Sequence, residues 1–302
     1  MKRVVSVSLG SSRRDHRVEA QILGEDFIIE RRGTDGDLER AIAMIGELDG
    51  HVDAIGLGGV DLYLVSAGRR YMLRDARRML EAAKRTPVVD GTGLKNTLER
   101  RTVAWLDDNG VIDFEGKDIL LVSALDRYGM AEEMLSRGGR LILGDAMFGL
   151  GLPLPIYSLR TLGAILWVLS PIICRLPMSV IYPTGKKQDE ITPRFGRFYR
   201  DADIIAGDLH FIRRHMPDDL SEKIIITNTV TSDNELEFRQ RRVSMLVTTT
   251  PKMEGRSFGT NVMEGVLVAL AGKHPDELEE GKYEELLEKM DLVPRVEILD
   301  RE

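Results

Sequence analysis

The chain has 302 residues, 43% of them apolar and 30% charged, the balance of a soluble protein with a real core and enough length for two ordinary domains. A net charge of −7 and a pI near 5.5 exclude a general nucleic-acid binder, which needs a basic excess to neutralise phosphates. Cys174 is the single cysteine, so a disulfide framework and a cysteine metal cluster are closed to the chain. The sequence enters an apolar strand at once and shows no signal peptide, which makes the cytoplasm the expected compartment.

In chain order, Val4 to Leu9 and Asp26 to Glu30 read as strands. Leu38 to Leu48 reads as a helix capped by Asp35 or Asp37, Val52 to Leu57 as a strand, Leu73 to Ala83 as a helix and Pro87 to Val89 as a strand. Short β-branched strands alternating with amphipathic helices imply a parallel or mixed sheet with helices on its faces. Asp90-Gly91-Thr92-Gly93-Leu94-Lys95-Asn96-Thr97 follows. Two glycines at a strand-to-helix turn allow close approach of a ligand or positive φ angles. Asp90 and Lys95 are expected within hydrogen-bond reach, a carboxylate holding an ammonium that could exchange a proton with a hydroxyl. The plainer alternative has Asp90 capping the helix and Lys95 solvated. The helical pattern from Leu94 to Leu106, stopped by Asp107 to Gly110, is expected to carry the chain from one domain to the other.

Lys117 to Asp145 is the most informative stretch. A strand (Asp118 to Ala124), a sharp turn, a helix (Gly129 to Arg137) and a strand (Arg140 to Gly144) ending on an acid are the parts of a mononucleotide-binding βαβ unit. In such a unit a pyrophosphate rests on the helix N-terminus and the acid takes the ribose hydroxyls. Ser123 and Asp145 are 22 positions apart, against about 20 expected. With Gly129 as the third glycine of G-x-G-x-x-G, the first two places hold Ala124 and Asp126. A carboxylate about 4 Å from a phosphate costs roughly 1 kcal/mol in water and several at protein-like dielectric. Three resolutions are open: Asp126 points away and caps the helix, Arg127 screens it and binds phosphate, or the ligand is not a pyrophosphate. The candidate cofactor residues here are Ser123, Ala124, Asp126, Arg127, Tyr128, Gly129 and Asp145, with Asp145 favouring NAD over NADP.

Thr161 to Cys174 is an apolar run of 14 residues between Arg160 and Arg175, shorter than the roughly 20 a spanning helix needs. A buried helix or a homodimer through 161–174 is expected, without stable membrane insertion. A basic loop (Lys186, Lys187, Arg194, Arg197, Arg200) and three strands come next, Asp203 to Ala206, Lys223 to Thr227 and Val243 to Thr248. In an open parallel sheet their carboxyl ends line one crevice, which places Asn228, Thr229, Thr248 and Thr249 near a nicotinamide. Asp208, His210 and His215 lack a third ligand at helical spacing, so no metal is expected. The turn from Gly255 to Asn261, with Arg256, suits an anion, with a plain helix cap by Ser257 or Thr260 as the equal alternative. A last helix, Phe258 to Ala271, ends at Gly272, and the tail from Pro275 to Glu302 is acidic and helical.

Asp90-Gly91-Thr92-Gly93-Leu94, Gly116-Lys117 and the closing Gly259-Thr260-Asn261-Val262-Met263-Glu264 stand in an order that resembles the shikimate and quinate dehydrogenases, and the chain is also similar to bacterial proteins labelled quinate 5-dehydrogenase. The resemblance implies that Asp90 matches the catalytic aspartate. It also implies that Ser11 and Ser12 of Gly10-Ser11-Ser12-Arg13 match the serines that hold a substrate carboxylate. The family's catalytic lysine should follow a strand ending near Tyr63 to Ser66, where this chain has Arg69 and Arg70; an arginine cannot relay a proton, and Lys95 is the substitute. The expectation is an α/β protein of two domains. Residues 1–98 plus 256–302 would form an N-terminal substrate domain with closing helices, and 99–255 a Rossmann-like parallel-sheet nucleotide-binding domain. The expected activity is NAD(P)-dependent oxidation or reduction of a small cyclic hydroxy acid, with Lys95 and Asp90 catalytic and Ser11, Ser12, Asn96, Arg256 and Asn261 on the substrate. The alternative is a non-redox ligand-binding protein or transferase that has lost the dinucleotide loop.

Overall fold

The computed structural model describes residues 1–66, 69–177, 191–250, 252–253, 256–257, 259–278 and 280–299. Lys186 and Lys187 of the basic loop, and Gly255 and Phe258 of the anion turn, lie outside these residues. The chain divides into two compact α/β units, each built on a sheet dominated by parallel strands. The first comprises Met1–Thr97, Trp167–Gln188 and Gly259–Leu292, the second Leu98–Leu166, Asp189–Phe258 and Val293–Glu302.

In the first unit, strands β1 (Lys2–Ser8), β2 (His16–Ile22), β3 (Glu25–Gly33), β4 (Ala54–Gly58) and β7 (Val88–Val89) form one sheet in the order β2-β3-β1-β4-β7. A hairpin of β5 (Tyr63–Ser66) and β6 (Arg69–Met72) lies between β4 and β7 in the chain. All main-sheet pairings are parallel except β2 with β3. Val4, Val5 and Val7 of the central β1 are fully buried, because a parallel sheet is covered on both faces and its strands read as continuous apolar runs. Helix α1 (Leu38–Leu48) packs on β1 and on α2 (Arg74–Glu81), and α9 (Thr260–Ala271) packs on β1, β4 and β7. Asp37 caps α1 by accepting from the Arg40 amide at 3.0 Å, and α9 stops at Gly272 in the left-handed conformation, the ordinary glycine end of a helix.

Helix α3 (Thr92–Asp108) then leads to the second sheet, of order β15-β12-β11-β10-β8-β9. Its strands are β8 (Asp118–Leu121), β9 (Arg140–Leu143), β10 (Ile204–Ala206), β11 (Ile224–Thr227), β12 (Met245–Thr248) and β15 (Arg295–Ile298), with α4 (Tyr128–Ser136) between β8 and β9. The pairings are parallel except β12 with β15. Successive residues of β8 serve opposite faces. Ile119 and Leu121 join a core with Met130, Met134 and Leu162, whereas Leu120 joins one with Phe148, Tyr199 and Phe238. The tail expected to be helical and to belong with the first unit instead ends in β15, an added edge of the second sheet.

Helix α5 (Leu159–Ile173) is the apolar run seen in the sequence. Leu162 and Leu166 are buried while Trp167, Val168 and Ile172 are exposed. Among the described residues no helix is long and apolar enough to cross a membrane.

Candidate functional site

The first candidate site stands at the carboxyl ends of β4 and β7 in the first unit. Asp90 follows β7 directly and is 7% exposed. Its carboxylate accepts hydrogen bonds from the Leu62 amide, the Thr92 amide (2.9 Å) and the Thr92 hydroxyl (2.8 Å), so Asp90 does hold the start of α3 as the plainer reading supposed. Gly91 has φ +96°, and a Cβ there would stand 3.0 Å from the Asn261 nitrogen; only glycine fits both conditions. Lys95, on the first turns of α3, forms an ion pair with Asp61, which follows β4. Both side chains are largely buried, 12% and 11% exposed.

Glu264 reaches the same cluster from α9. It accepts from the Gly91 amide at 2.6 Å and from the Tyr283 hydroxyl at 3.1 Å. Burial and the neighbouring Asp90 push its carboxyl up to about 8, so it is largely protonated at neutral pH. Burial, then Asp61, also raises Asp90, and Lys95 opposes the rise. A cavity of ≈ 270 Å³ opens beside these groups, with Asp90, Asn96, Glu264 and Tyr283 on its polar side and Leu62 and Leu80 among its apolar walls. Asp61, Glu264 and Tyr283 were missed in the sequence. The available signals were an acid just beyond the Gly58-Gly59 strand end and a glutamate in the middle of an otherwise apolar helix.

The turn after β1 lies two strands from β7 in the same sheet. There the Ser11 hydroxyl accepts from the Arg13 amide at 3.3 Å, and the Ser12 amide donates to Asp35 at 2.8 Å. The Arg31 guanidinium donates to the Ser11 carbonyl (3.0 Å), the Ser8 hydroxyl (2.9 Å) and Asp15 (2.9 Å). Burial first, then the nearby Arg14, lowers Arg31 to about 10 against its pairing with Asp15. Asn261 is half-buried at the start of α9. Its side-chain amide donates to the buried Ser6 hydroxyl at 2.8 Å, tying α9 to β1. Arg256 lies in β14 (Arg256–Ser257), paired with β13 (Lys252–Met253), and its side chain is outside the described part.

The second candidate site is the carboxyl end of the second sheet. In the order β9-β8-β10-β11-β12 the chain leaves β8 toward one side and returns to β10 on the other, so the switch point lies between β8 and β10, the usual ligand position in such sheets. Asp145 is displaced from its expected role. It is half-buried, and its carboxylate accepts from the Ala124 amide (3.0 and 3.1 Å) and the Leu125 amide (2.8 Å). These are amides of the turn on which a pyrophosphate would rest. Burial lifts Asp145 to about 6 against those hydrogen bonds.

Arg127 is likewise not available to phosphate. It is 1% exposed and pairs with the equally buried Glu99, with Asp208 at 3.5 Å and Asp126 at 3.9 Å. The cap position of α4 is Arg127, with φ −134° and no side-chain capping bond of its own. The Ser123 hydroxyl is buried without a partner among the described residues. Tyr128 is exposed and Gly129 buried in the first turn of α4. The turn 123–129 therefore does not fit a dinucleotide's pyrophosphate: it lacks the two glycines, its amides hold a carboxylate, and its arginine faces inward.

At the other strand ends, Asn228 donates to Asp208 at 3.2 Å. Thr248 is fully buried and donates to the Thr250 carbonyl at 2.9 Å, Thr249 is 1% exposed, and Thr229 is half-buried. Asp208 caps α7 (Leu209–His215) by accepting from the His210 amide at 2.8 Å. His215 meets the Thr192 carbonyl at 3.2 Å and lies against Phe148.

Among solved structures, the chain is similar to a galactofuranose binding protein at 13% identity over 96% of this chain and 99% of that one, with a TM-score of 0.37. It is similar to a glutamate dehydrogenase from Thermus thermophilus (11% identity, 96% and 74%, TM-score 0.43) and to an L-tryptophan dehydrogenase from Nostoc punctiforme (11%, 88% and 68%, TM-score 0.38). No curated protein matches the chain. Residues 3–90, ending on Asp90, match the Domain of unknown function (DUF8753). Residues 93–299 match the Domain of unknown function (DUF8754), and by this match over more than half its length the chain belongs to that family.

Proposed function

We propose that the protein binds a small hydroxylated acid in its first unit and exchanges a proton with one of its hydroxyls. The observation that carries this reading is the Lys95–Asp61 ion pair beside the buried Asp90, which itself lines a cavity. Lys95 is the proton donor or acceptor, Asp61 holds its ammonium, and the buried Asp90 stands beside the pair. Protonated Glu264 donates a hydrogen bond or keeps the cluster from accumulating charge. The arginine pair at the β1 turn, two strand spacings or about 10 Å away, supports a carboxylate at the far end of the ligand. A cyclic hydroxy acid of the quinate or shikimate type meets both requirements.

Of the two forms this reading can take, the non-redox one is favoured, because Asp145 occupies the turn that a nicotinamide dinucleotide would need. Thermal shift with a panel of hydroxy acids and polyols, and with NAD⁺, tests both levels. A hydroxy acid at saturating concentration is expected to raise the midpoint by about 2–4 °C, as roughly 1 kcal/mol of binding does at this size, and NAD⁺ to leave it unchanged. Lys95→Met and Asp90→Asn should abolish the hydroxy-acid response; a response surviving in both removes the cavity from the site.

The exposed Trp167, Val168 and Ile172 of α5 support self-association of two copies as a further part of the reading, since exposed apolar residues grouped on one helix mark contact sites. Sedimentation should give a dimer for the wild type and a monomer for Val168→Glu; a wild-type monomer at tens of micromolar would discard it.

A further inference from the structure

The cavity beside Asp90 has two unlike sides, both built within the first unit. One is apolar, formed by the buried Leu62, Val88 and Val89 with the half-buried Leu80 of α2 and Leu278. The other carries Asp90, Asn96, Glu264 and Tyr283, the last from α10 (Glu280–Lys289) and 3% exposed. The described residues that line the cavity include no lysine or arginine. A ligand's carboxylate would meet Asp90 there without a cation to balance it, so the acid group belongs outside.

Hydrogen bonds within the protein take up most of the polar side. Asp90 accepts from the Leu62 and Thr92 amides and from the Thr92 hydroxyl. Glu264 accepts from the Gly91 amide on one oxygen and from the Tyr283 hydroxyl on the other. A Cβ on Gly93 would stand 2.3 Å from that second oxygen, so the carboxyl is held on three sides. The cavity thus asks its occupant for few hydrogen bonds and offers it a broad apolar wall. A saturated polyol carries hydroxyls around its ring, and one turned to Leu80 or Leu278 would lose its water and gain no partner. An aromatic ring with one hydroxyl lays its faces on the wall and sends a single polar group to the other side.

The same choice suits proton exchange. A phenol releases its proton at about pH 10, as tyrosine does, whereas a saturated alcohol is about as weak an acid as water, at about 15.7. Without a hydride transfer, exchange with the phenol is far the easier. At ≈ 270 Å³, near the roughly 300 Å³ at which ligand pockets begin, the cavity has room for one such ring.

We infer that the cavity holds the ring of a phenolic acid, its hydroxyl toward Asp90 and Glu264, its faces on Leu62, Leu80, Val89 and Leu278, and its carboxylate outside. This rests on the reading of the first unit as a hydroxy-acid site and narrows the class of its ligand.

Isothermal titration of the full chain with three monoanions tests it: 3-(4-hydroxyphenyl)propionate, 3-phenylpropionate and quinate. The phenolic acid is expected to bind about tenfold or more tighter than quinate, and phenylpropionate about tenfold weaker than the phenolic acid for want of the hydroxyl. Leu80→Asn and Leu278→Asn, at half-buried positions on two separate segments, should each cost the phenolic acid about fivefold or more and shrink its advantage over quinate. Quinate binding as tightly as the phenolic acid, or tighter, overturns the inference and leaves the hydroxy-acid reading standing. Equal affinities for the phenolic acid and phenylpropionate, or an affinity for the phenolic acid unaltered in both variants, also overturn it. Failure of all three probes at millimolar concentration overturns the inference together with the reading it rests on.

Discussion

Glu264 shows how one side chain reports on a site. Its ordinary value of 4.5 moves to about 8 because it is enclosed beside Asp90, while the unfolded chain releases the proton near 4.5. Between those values the folded protein binds more protons than the unfolded one, so stability is full below about pH 4.5 and declines as pH rises toward 8. Asp145 acts in the same sense between its ordinary 3.8 and about 6, and its effect is complete above that. The interval from pH 6.5 to 8 therefore isolates the first unit's cluster from Asp145. Glu264→Gln keeps an acceptor for the Gly91 amide and cannot ionise. Its melting midpoint should gain on the wild type by at least about 2–4 °C between pH 6.5 and 8, measured calorimetrically at both pH values. Parallel pH dependence of the two proteins over that interval would show that Glu264 is already ionised in the fold.

At the level of elements, legibility followed how much apolar pattern each one carries. Helix α1 was read with its bounds and with Asp37 among its two candidate caps, because Ala41, Ile45 and Leu48 recur on one buried face. The strands β8, β10, β11 and β12 were plain because both faces of their sheet are covered. Of the edge strands, β7 and β9 were read, and β2 and β15 were not. In β2 the buried apolar residues are Val18 and Ile22, with exposed Glu19 and Gln21 and half-buried Ala20 between, and its turn to β3 is Leu23-Gly24, both at positive φ. That is the backbone of a tight hairpin without the usual Asn-Gly signal. The strand β15 has no fully buried residue. The site divided the same way. Asp90 and Lys95 announced themselves through a local turn, whereas Asp61, Glu264 and Tyr283 come from separate parts of the chain and meet Lys95 and Asp90 only through the fold. The spacing from Ser123 to Asp145 was legible too. Spacing places a carboxylate near a turn, and cannot say whether it faces a ribose or folds back onto the turn's own amides.

On the scale of the whole molecule, each unit has its own sheet, and the second has apolar cores on both faces of its own. Domains with separate cores unfold as separate cooperative units, and local opening free energies then differ between them. Arg127 and Glu99 offer a lever on the second unit alone. Arg127→Leu would leave Glu99 buried without the guanidinium that balances it, a change that costs about 3–5 kcal/mol in comparable buried pairs. Opening of the second unit should then become more populated by a factor of about 10² or more, at 1.4 kcal/mol per tenfold. Hydrogen-exchange mass spectrometry resolves where this appears. Amides of β10 and β11 should lose protection by that factor, while those of β1 and β4 keep the wild-type rate. Replacing both partners, Glu99→Leu with Arg127→Leu, should restore much of the protection, because removing a buried pair together is far less costly than removing one member. Equal loss of protection in β1 and β10 would mean that the two sheets open in one step, and the chain would then have to be treated as a single cooperative body despite its two cores.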